Sequence, residues 1–290
     1  MNKDLPNLLI PGYHKSGTTT LFHELSKHPD ICPSIVKEPF YFRPFINKKK
    51  MPPIDEYRKN FIFAKNESFL MEGSPTYIYG GERVAKKIHE TLGNVKIIIC
   101  IRNPINHLYS IYKHKLRFMK ENKNLSFLSF IQSNKDFSKQ KYNEHIQGWY
   151  NVFDENIKCI FFDDLIKNPN KVLKDIYKWL DLEPLLINNS RLENTNLGQT
   201  YKNSLIHILA LYIFKKTKNI IPHNLFIIIR KFYFKLNGTE IKSSLTEEAK
   251  SYLEPIFFPH LNGLKDILRT KGYKEFPDWL NDLETTKQIT

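Results

Sequence analysis

The 290-residue chain is 41% hydrophobic and 13% aromatic, which excludes a disordered polymer and provides for one substantial core. Its net charge of +14 and pI near 9.4 favour anionic partners (a phosphorylated cosubstrate, an acidic glycan, nucleic acid or anionic lipid), although a Lys- and Asn-rich composition alone produces the same surplus. No stretch reaches the roughly 18 uncharged apolar residues of a membrane span, the apolar run near the N-terminus is too short for a signal peptide, and Cys32, Cys100 and Cys159 form no C-x-x-C pair and no metal spacing with the histidines. These features predict a cytoplasmic protein without a metal site.

In chain order, "NLLIPG" (Asn7–Gly12) reads as a short buried strand. "TTTLFHELSKHP" reads as a helix with Leu21, Phe22 and Leu25 on one face, ended near Pro29, with His28 as its C-terminal cap. "MEGSPTYIYG" is a strand end passing into a turn, and "ERVAKKIHETLG" an amphipathic helix closed by Gly93. "VKIIICIRNP" (Val95–Pro104) is the clearest strand, a continuous run of the kind buried on both faces, broken by Asn103 and Pro104 before the long helix "INHLYSIYKHKLRFMK". "IKCIFFDDL" is a further buried strand, and "NPNKVLKDIYKWLDL" a helix starting at Asn168–Pro169. This alternation predicts an α/β fold with a central parallel sheet flanked by helices. In such sheets ligands bind at the carboxyl ends of the strands. Beyond Thr195, "SLIHILALYIFKKTKNIIPHNLFIIIRKFYFKLNG" is apolar and basic together and predicts two helices separated around Pro222. A last helical stretch begins near Ser244 or Thr246. No repeat, low-complexity linker or domain boundary is visible.

Three segments bear chemistry. In "GYHKSGTTT", Gly12 and Gly17 permit tight bends that turn successive N–H groups toward one anion, and the following helix aims its positive end at the same place. Lys15 adds a mobile charge; Ser16, Thr18 and Thr19 add hydroxyl donors. The string is not the nucleotide-hydrolase loop, because its Lys precedes the second Gly. In "CIRNPINHLYSIYKH", Arg102 sits where a strand ends and Ser110 lies two helical turns on, a pair suited to a second phosphate; the plainer alternative is an Arg capping local carbonyls. In "KEPFYF", Lys37 and Glu38 offer a carboxylate placed to take a proton from an alcohol, or an ordinary surface ion pair.

Together these segments resemble the sulfotransferases that use 3′-phosphoadenosine 5′-phosphosulfate (PAPS), most of all the bacterial and Golgi-type carbohydrate enzymes that include the heparan sulfate 3-O- and N-sulfotransferase domains. The resemblance extends through "MEGSPTYIYGGERVAKKIHETLGNVKIII" and "KCIFFDDLIKNPNKVLKDIYKWLDL" and so covers most of the chain. It implies a single P-loop-NTPase-like domain over residues 1–290, with the helical part from about 203 to 290 packed on the same domain. It implies Lys15 on the bridging oxygen of the phosphosulfate, and Ser16, Gly17, Thr18 and Thr19 on the 5′-phosphate. Arg102 and Ser110 would hold the 3′-phosphate, Lys37 would lie against the sulfuryl group, and Glu38 would be the general base. For the C-terminal loop that holds the 3′-phosphate and adenine, "LGQTYKNS" is the candidate, with Tyr201 and Lys202, and here the sequence departs from the family pattern. The family uses no metal, and its acceptors imply a saccharide or glycolipid.

His14, inside the loop, either faces the acceptor or, as the plainer reading, is a variable position. The stretch 205–235 either covers the sheet or lies on a membrane surface as a peripheral contact. Two other functions compete: a P-loop nucleotide kinase, for which "FFDDL" holds the only magnesium candidate, and a non-catalytic polyanion- or membrane-binding protein. No nucleic-acid module is present in the sequence.

Overall fold

The computed structural model describes residues 4–116, 125–133, 136–185, 199–201, 203, 206, 209–210, 212–213, 223–240 and 244–281. The elements follow in order: β1 (Leu8–Leu9), α1 (Thr18–Leu25), β2 (Ile31–Pro33), α2 (Arg43–Ile46), α3 (Ile54–Arg58), β3 (Phe69–Glu72), α4 (Gly81–Leu92), β4 (Lys96–Ile101) and α5 (Pro104–Leu116). Then come α6 (Phe127–Ser133), α7 (Tyr142–Phe153), β5 (Ile157–Phe161), α8 (Phe162–Lys167), α9 (Pro169–Trp179), β6 (Gln199–Tyr201), α10 (His223–Asn237), β7 (Gly238–Glu240), α11 (Glu247–Thr270) and α12 (Asp278–Asn281). The chain divides into two compact units. One comprises residues 1–107, 136–193 and 253–290; the other comprises 108–135 and 194–252.

The first unit contains the predicted sheet, five parallel strands in the order β2-β3-β1-β4-β5. Residues Ile97–Ile101 are wholly buried, as a central strand covered on both faces requires. On one face, Leu8, Ile10, Met71, Ile98, Cys100 and Ile160 meet Leu21, Phe22 and Leu25 of α1 and Val172, Leu173, Ile176 and Tyr177 of α9 in one apolar cluster. The helical residues contributed are those at three- and four-residue spacing, which is why these segments are helices and why each buries one side only. Pro169 at the first turn of α9 and Asn168 before it set that helix's start as expected.

Strand order places the site. From β1 the chain moves to β2 and β3 on one side, then to β4 and β5 on the other. The reversal falls at β1, so its carboxyl end lies in the crevice where open α/β sheets take ligands. The loop after β1 is therefore flanked by Glu72, which ends β3, and by Arg102, which follows β4. In register, Leu9 faces Glu72 on one side and Ile97 on the other. Between Pro33 and Phe69 the chain leaves the sheet for a long excursion holding α2 and α3.

Three local expectations are corrected. The strand from "IKCIFFDDL" stops at Phe161, and Phe162–Lys167 turn at once into α8. The strand "NLLIPG" shortens to Leu8–Leu9, because the chain must leave the sheet to form the loop. His28 does not cap α1. Its Nδ1 accepts the Asp30 N–H at 3.1 Å, so Nε2–H donates to the Glu183 carbonyl at 2.9 Å, tying the end of α1 to the segment after α9.

In the second unit, Tyr109 and Tyr112 of α5 pack on Phe127 and Phe130 of α6. Strands β6 and β7 pair antiparallel, Tyr201 opposite Gly238. Asn237 accepts from the Asn203 N–H and donates to the Asn203 carbonyl, closing the end of α10 onto the residues after β6. Within this unit Thr246 caps α11, its hydroxyl accepting the Ala249 N–H at 3.3 Å.

Candidate active site

The loop between β1 and α1 is shaped by three backbone constraints. Gly12 passes so close to β4 that a Cβ there would sit 2.7 Å from the Cys100 nitrogen, so any side chain would push the loop off the sheet. Lys15 and Gly17 both hold left-handed conformations (φ 67 and 84), and Gly17 is the N-cap of α1 without a side-chain cap. The first N–H groups of α1 thus lack the usual capping side chain and face the loop's concave side with the positive end of the helix dipole.

Side chains behind the loop lock this shape. Arg102 Nη1 donates to the Lys15 carbonyl at 2.7 Å, and its guanidinium lies 4.4 Å from the centre of the Phe162 ring. Burial lowers the Arg102 pKa from its usual value, yet guanidinium remains the charged form at any physiological pH. His107 on α5 is fully buried and pushed down to about 3 by that burial and by His14 beside it. It is therefore neutral, and its hydrogen bonds fix the tautomer: Nε2–H donates to the His14 carbonyl at 2.9 Å and Nδ1 accepts from Tyr142 at 3.0 Å. In a trans peptide N–H opposes C=O, so pinning the His14 carbonyl toward His107 turns the Lys15 N–H the other way. The Ser16 N–H closes the turn onto Tyr13 O at 3.2 Å. His14 itself is tied by Nδ1 to Tyr79 OH at 2.6 Å, so the position read as variable is part of the frame.

The loop's hydroxyls fit an anion. Ser16 is wholly buried and its Oγ has no hydrogen-bond partner in the described chain, while Thr18 is buried and Thr19 half-buried at the start of α1. A buried hydroxyl without a partner costs about 1–3 kcal/mol, which a bound oxyanion would recover.

Lys37 and Glu38 lie on the excursion after β2. Lys37 Nζ bonds Glu38 Oε1 at 2.7 Å, both half-buried. Lys37 Nζ stands 5.9 Å from the centre of the Phe22 ring on α1, and its charge acts on Cys100 in β4, whose thiol burial otherwise pushes up. The pair thus approaches the same sheet edge as the loop. Within "FFDDL", which holds the magnesium candidate of the kinase reading, Asp163 accepts from Trp279 Nε1 at 3.0 Å.

The first unit therefore gathers Lys15, Ser16, Gly17, Thr18, Thr19 and Arg102 around one loop, with Lys37 and Glu38 paired nearby. Ser110 stands half-buried on α5 in the second unit, and Tyr201 lies on β6 of that unit. Lys202 lies outside the described residues. Sequence reasoning missed Glu72, His107, Tyr142 and Phe162. Of these, His107 alone carried a signal, as a histidine one turn into the helix that starts after Arg102.

The model of the sulfotransferase domain matches residues 5–265. The chain belongs to the sulfotransferase domain family. Among the chain's relatives, the bifunctional heparan sulfate N-deacetylase/N-sulfotransferase of Drosophila melanogaster is 23% identical over 307 residues, covering 96% of this chain and 27% of that protein. The heparan sulfate glucosamine 3-O-sulfotransferase 5 of Mus musculus is 28% identical over 195 residues, 63% of this chain and 55% of that one. The membrane-associated sulfotransferase kil1 of Dictyostelium discoideum is 34% identical over 122 residues, 41% and 25% of the two chains. The chain thus spans between a quarter and just over half of these relatives' lengths. A sulfotransferase structure from Alicyclobacillus acidocaldarius shares the fold, with a TM-score of 0.64 at 19% identity over 94% of this chain and 98% of that one.

Proposed function

We propose that this sulfotransferase moves the sulfuryl group of PAPS to a hydroxyl or amine of a saccharide or glycolipid. The observation that carries the reading is the loop itself: a left-handed Gly17 cap, an unpartnered buried Ser16 hydroxyl, and Arg102 clamped on the Lys15 carbonyl make a rigid cradle for an oxyanion. Ser16, Gly17, Thr18 and Thr19 would hold the 5′-phosphate, and Arg102, with Ser110, Tyr201 and Lys202, the 3′-phosphate and adenine. Glu38 removes the acceptor proton as the acceptor oxygen or nitrogen bonds to sulfur and the bond from sulfur to the phosphate oxygen breaks. Negative charge grows on that departing oxygen, and Lys15 and the N–H groups of α1 stabilise it. Lys37 neutralises the sulfuryl oxygens and orients Glu38. The names of the relatives, heparan sulfate N- and 3-O-sulfotransferases, support a sugar acceptor.

We further place the protein in the cytoplasm with a peripheral membrane contact through residues 205–235. This segment contains six basic residues (Lys215, Lys216, Lys218, Arg230, Lys231 and Lys235) and no acidic one. On α10, Leu225, Phe232 and Leu236 fall on one face and are 48%, 62% and 64% exposed. Among the described residues no helix is long and apolar enough to cross a membrane.

Calorimetry with 3′-phosphoadenosine 5′-phosphate (PAP), with ATP and ADP as controls and each titrated with and without magnesium, tests the donor site. Binding that depends on the 3′-phosphate and drops at least tenfold in Arg102→Ala supports it. A preference for ATP with magnesium refutes it and favours a kinase.

A further inference from the structure

The excursion between β2 and β3 carries apolar side chains where a chain normally places polar ones. Ala64 N–H closes a turn onto the Phe61 carbonyl at 3.0 Å, so Ile62 and Phe63 stand at its two corners. Such corners usually go to Gly, Pro, Asn, Asp or Ser. Ile62 and Phe63 are 66% and 71% exposed, the two most exposed large apolar side chains among the described residues. The turn is firmly seated. Phe61 at its start is buried and meets the buried Tyr57 ring at 6.1 Å, and Tyr57 in turn stacks on Tyr41 at 4.2 Å. A second exposed apolar pair, Ile35 and Val36, is tied to this turn, because Ile35 N–H donates to the Asn60 carbonyl at 2.9 Å. It is also tied to β3: Ser34 N–H donates to the Met71 carbonyl at 2.8 Å, and Ser34 Oγ to the Val36 carbonyl at 2.7 Å. The next two residues are Lys37 and Glu38. A lone exposed apolar residue needs no explanation; four of them, hydrogen-bonded into one patch beside the proposed reacting pair, do.

The charge of the excursion indicates what covers the patch. From Ser34 to Ser68 eight basic residues stand against four acidic ones, a net of +4. Lys59 and Lys65 are exposed on either side of the turn in sequence, and Lys48, Lys49 and Lys50 are exposed earlier in the excursion. Such a surface repels a second copy of itself and attracts anionic headgroups. Apolar tips flanked by lysine suit the boundary between headgroups and acyl chains. We infer that Ile35, Val36, Ile62 and Phe63 form a docking patch for an anionic phospholipid surface, which brings the Lys37–Glu38 pair to the headgroup layer. Of the acceptors proposed above, a glycolipid is the one presented there. That consequence rests on the reading of Glu38 as the acceptor-side base; the docking itself does not. The apolar face on α10 is a separate surface, and because stable anchoring takes two signals, loss of either should release the protein.

The test reads the patch locally. Cys32, Cys100 and Cys159 are all buried, so a thiol-reactive, polarity-sensitive dye labels the full-length Phe63→Cys or Val36→Cys chain at the new site. On vesicles of phosphatidylcholine and phosphatidylglycerol, the emission of both should rise and shift to the blue; on phosphatidylcholine alone it should stay unchanged. Glu90→Cys is the control. Glu90 is exposed near the end of α4, which leads into the amino end of β4 and so lies at the opposite edge of the sheet from the loop, and its dye should not respond. Ile62→Ser combined with Phe63→Ser should weaken vesicle binding roughly tenfold or more. No change at positions 63 and 36, an equal change at position 90, or an equal response to phosphatidylcholine alone overturns the inference. A response that grows with protein concentration in the absence of lipid means self-association and overturns it too. PAP calorimetry on the same proteins keeps the two readings apart: all should bind PAP alike, and a wild type that fails to bind refutes the donor site while leaving the dye result standing.

Discussion

Gly17→Ala is the sharpest test of the donor cradle. Two costs follow from its place. At φ 84 an L-residue loses about 1–2 kcal/mol relative to glycine. The added Cβ also falls 2.8 Å from Phe162 Cδ2 and 3.1 Å from Leu165 Cδ2, so the ring and the leucine must both give way, at about 1–3 kcal/mol for overpacking. The sum, about 2–5 kcal/mol, should lower the melting temperature by on the order of 10 °C. The consequence for binding is separate. Phe162 is the surface on which Arg102 lies, and Arg102 holds the Lys15 carbonyl. Displacing the ring moves the guanidinium and loosens the loop, so PAP affinity should fall about tenfold, or 1.4 kcal/mol. Gly272→Ala is the control: its φ is 85 but a Cβ there meets open space, so it should show the backbone cost alone and bind PAP normally. Thermal unfolding and calorimetry read both effects. A Gly17→Ala protein that melts within about 1 °C of wild type and binds PAP equally well would refute the cradle as described.

With a saccharide acceptor of the proposed class, Glu38→Gln should lower sulfuryl transfer by roughly 10²–10⁴ with PAP affinity unchanged, because it removes the proposed base and leaves the donor loop intact; turnover near wild type would take the base role away. Stability should fall as pH drops below 6.5. His107 and His145 have folded pKa values depressed to about 3 and about 4, so the unfolded chain takes up their protons first. Each costs about 2 kcal/mol between pH 6.5 and 5, and denaturant titrations at the two pH values should show a shallower loss in His107→Gln. Replacing Leu225, Phe232 and Leu236 together by Ser should abolish co-flotation with vesicles rich in anionic phospholipid while leaving PAP binding unchanged; flotation equal to wild type would remove that face from membrane contact.

Much of the architecture is legible where one segment decides its own fate. After Lys96 the run "IIICI" has no polar residue with which to face water, so it is a central strand from sequence alone. Asn103 and Pro104 announce the start of α5, and the structure shows how: Asn103 Oδ1 takes the N–H groups of Ile105 and Asn106 at 2.9 and 3.1 Å. The glycine and lysine order of "GYHKSGTTT" likewise points to the loop. What stays hidden depends on distant partners. "FFDDL" continues a strand pattern, yet Phe162 turns away to lie under Arg102, sixty residues earlier in the chain. Glu72 looks like any acid at a strand end until the structure buries it and Tyr57, fifteen residues earlier, donates to it. Strand β2, only Ile31–Pro33, is too short to have a period, and its pairing with β3 is what makes it a strand.

The excursion between β2 and β3 separates two kinds of heritable change. The donor loop is fixed by strand ends, by Gly12 against Cys100 and by main-chain bonds, so almost any substitution there disturbs the sheet itself. The segment bearing Lys37 and Glu38 lies outside the sheet with α2 and α3, and is anchored by the Phe40 and Phe42 amides and by the buried rings of Tyr41 and Phe42. Its exposed positions, such as Ile35 and Val36, can be exchanged without touching that loop. A lineage built on this plan can vary what the excursion meets while inheriting one unchanged loop at the end of β1.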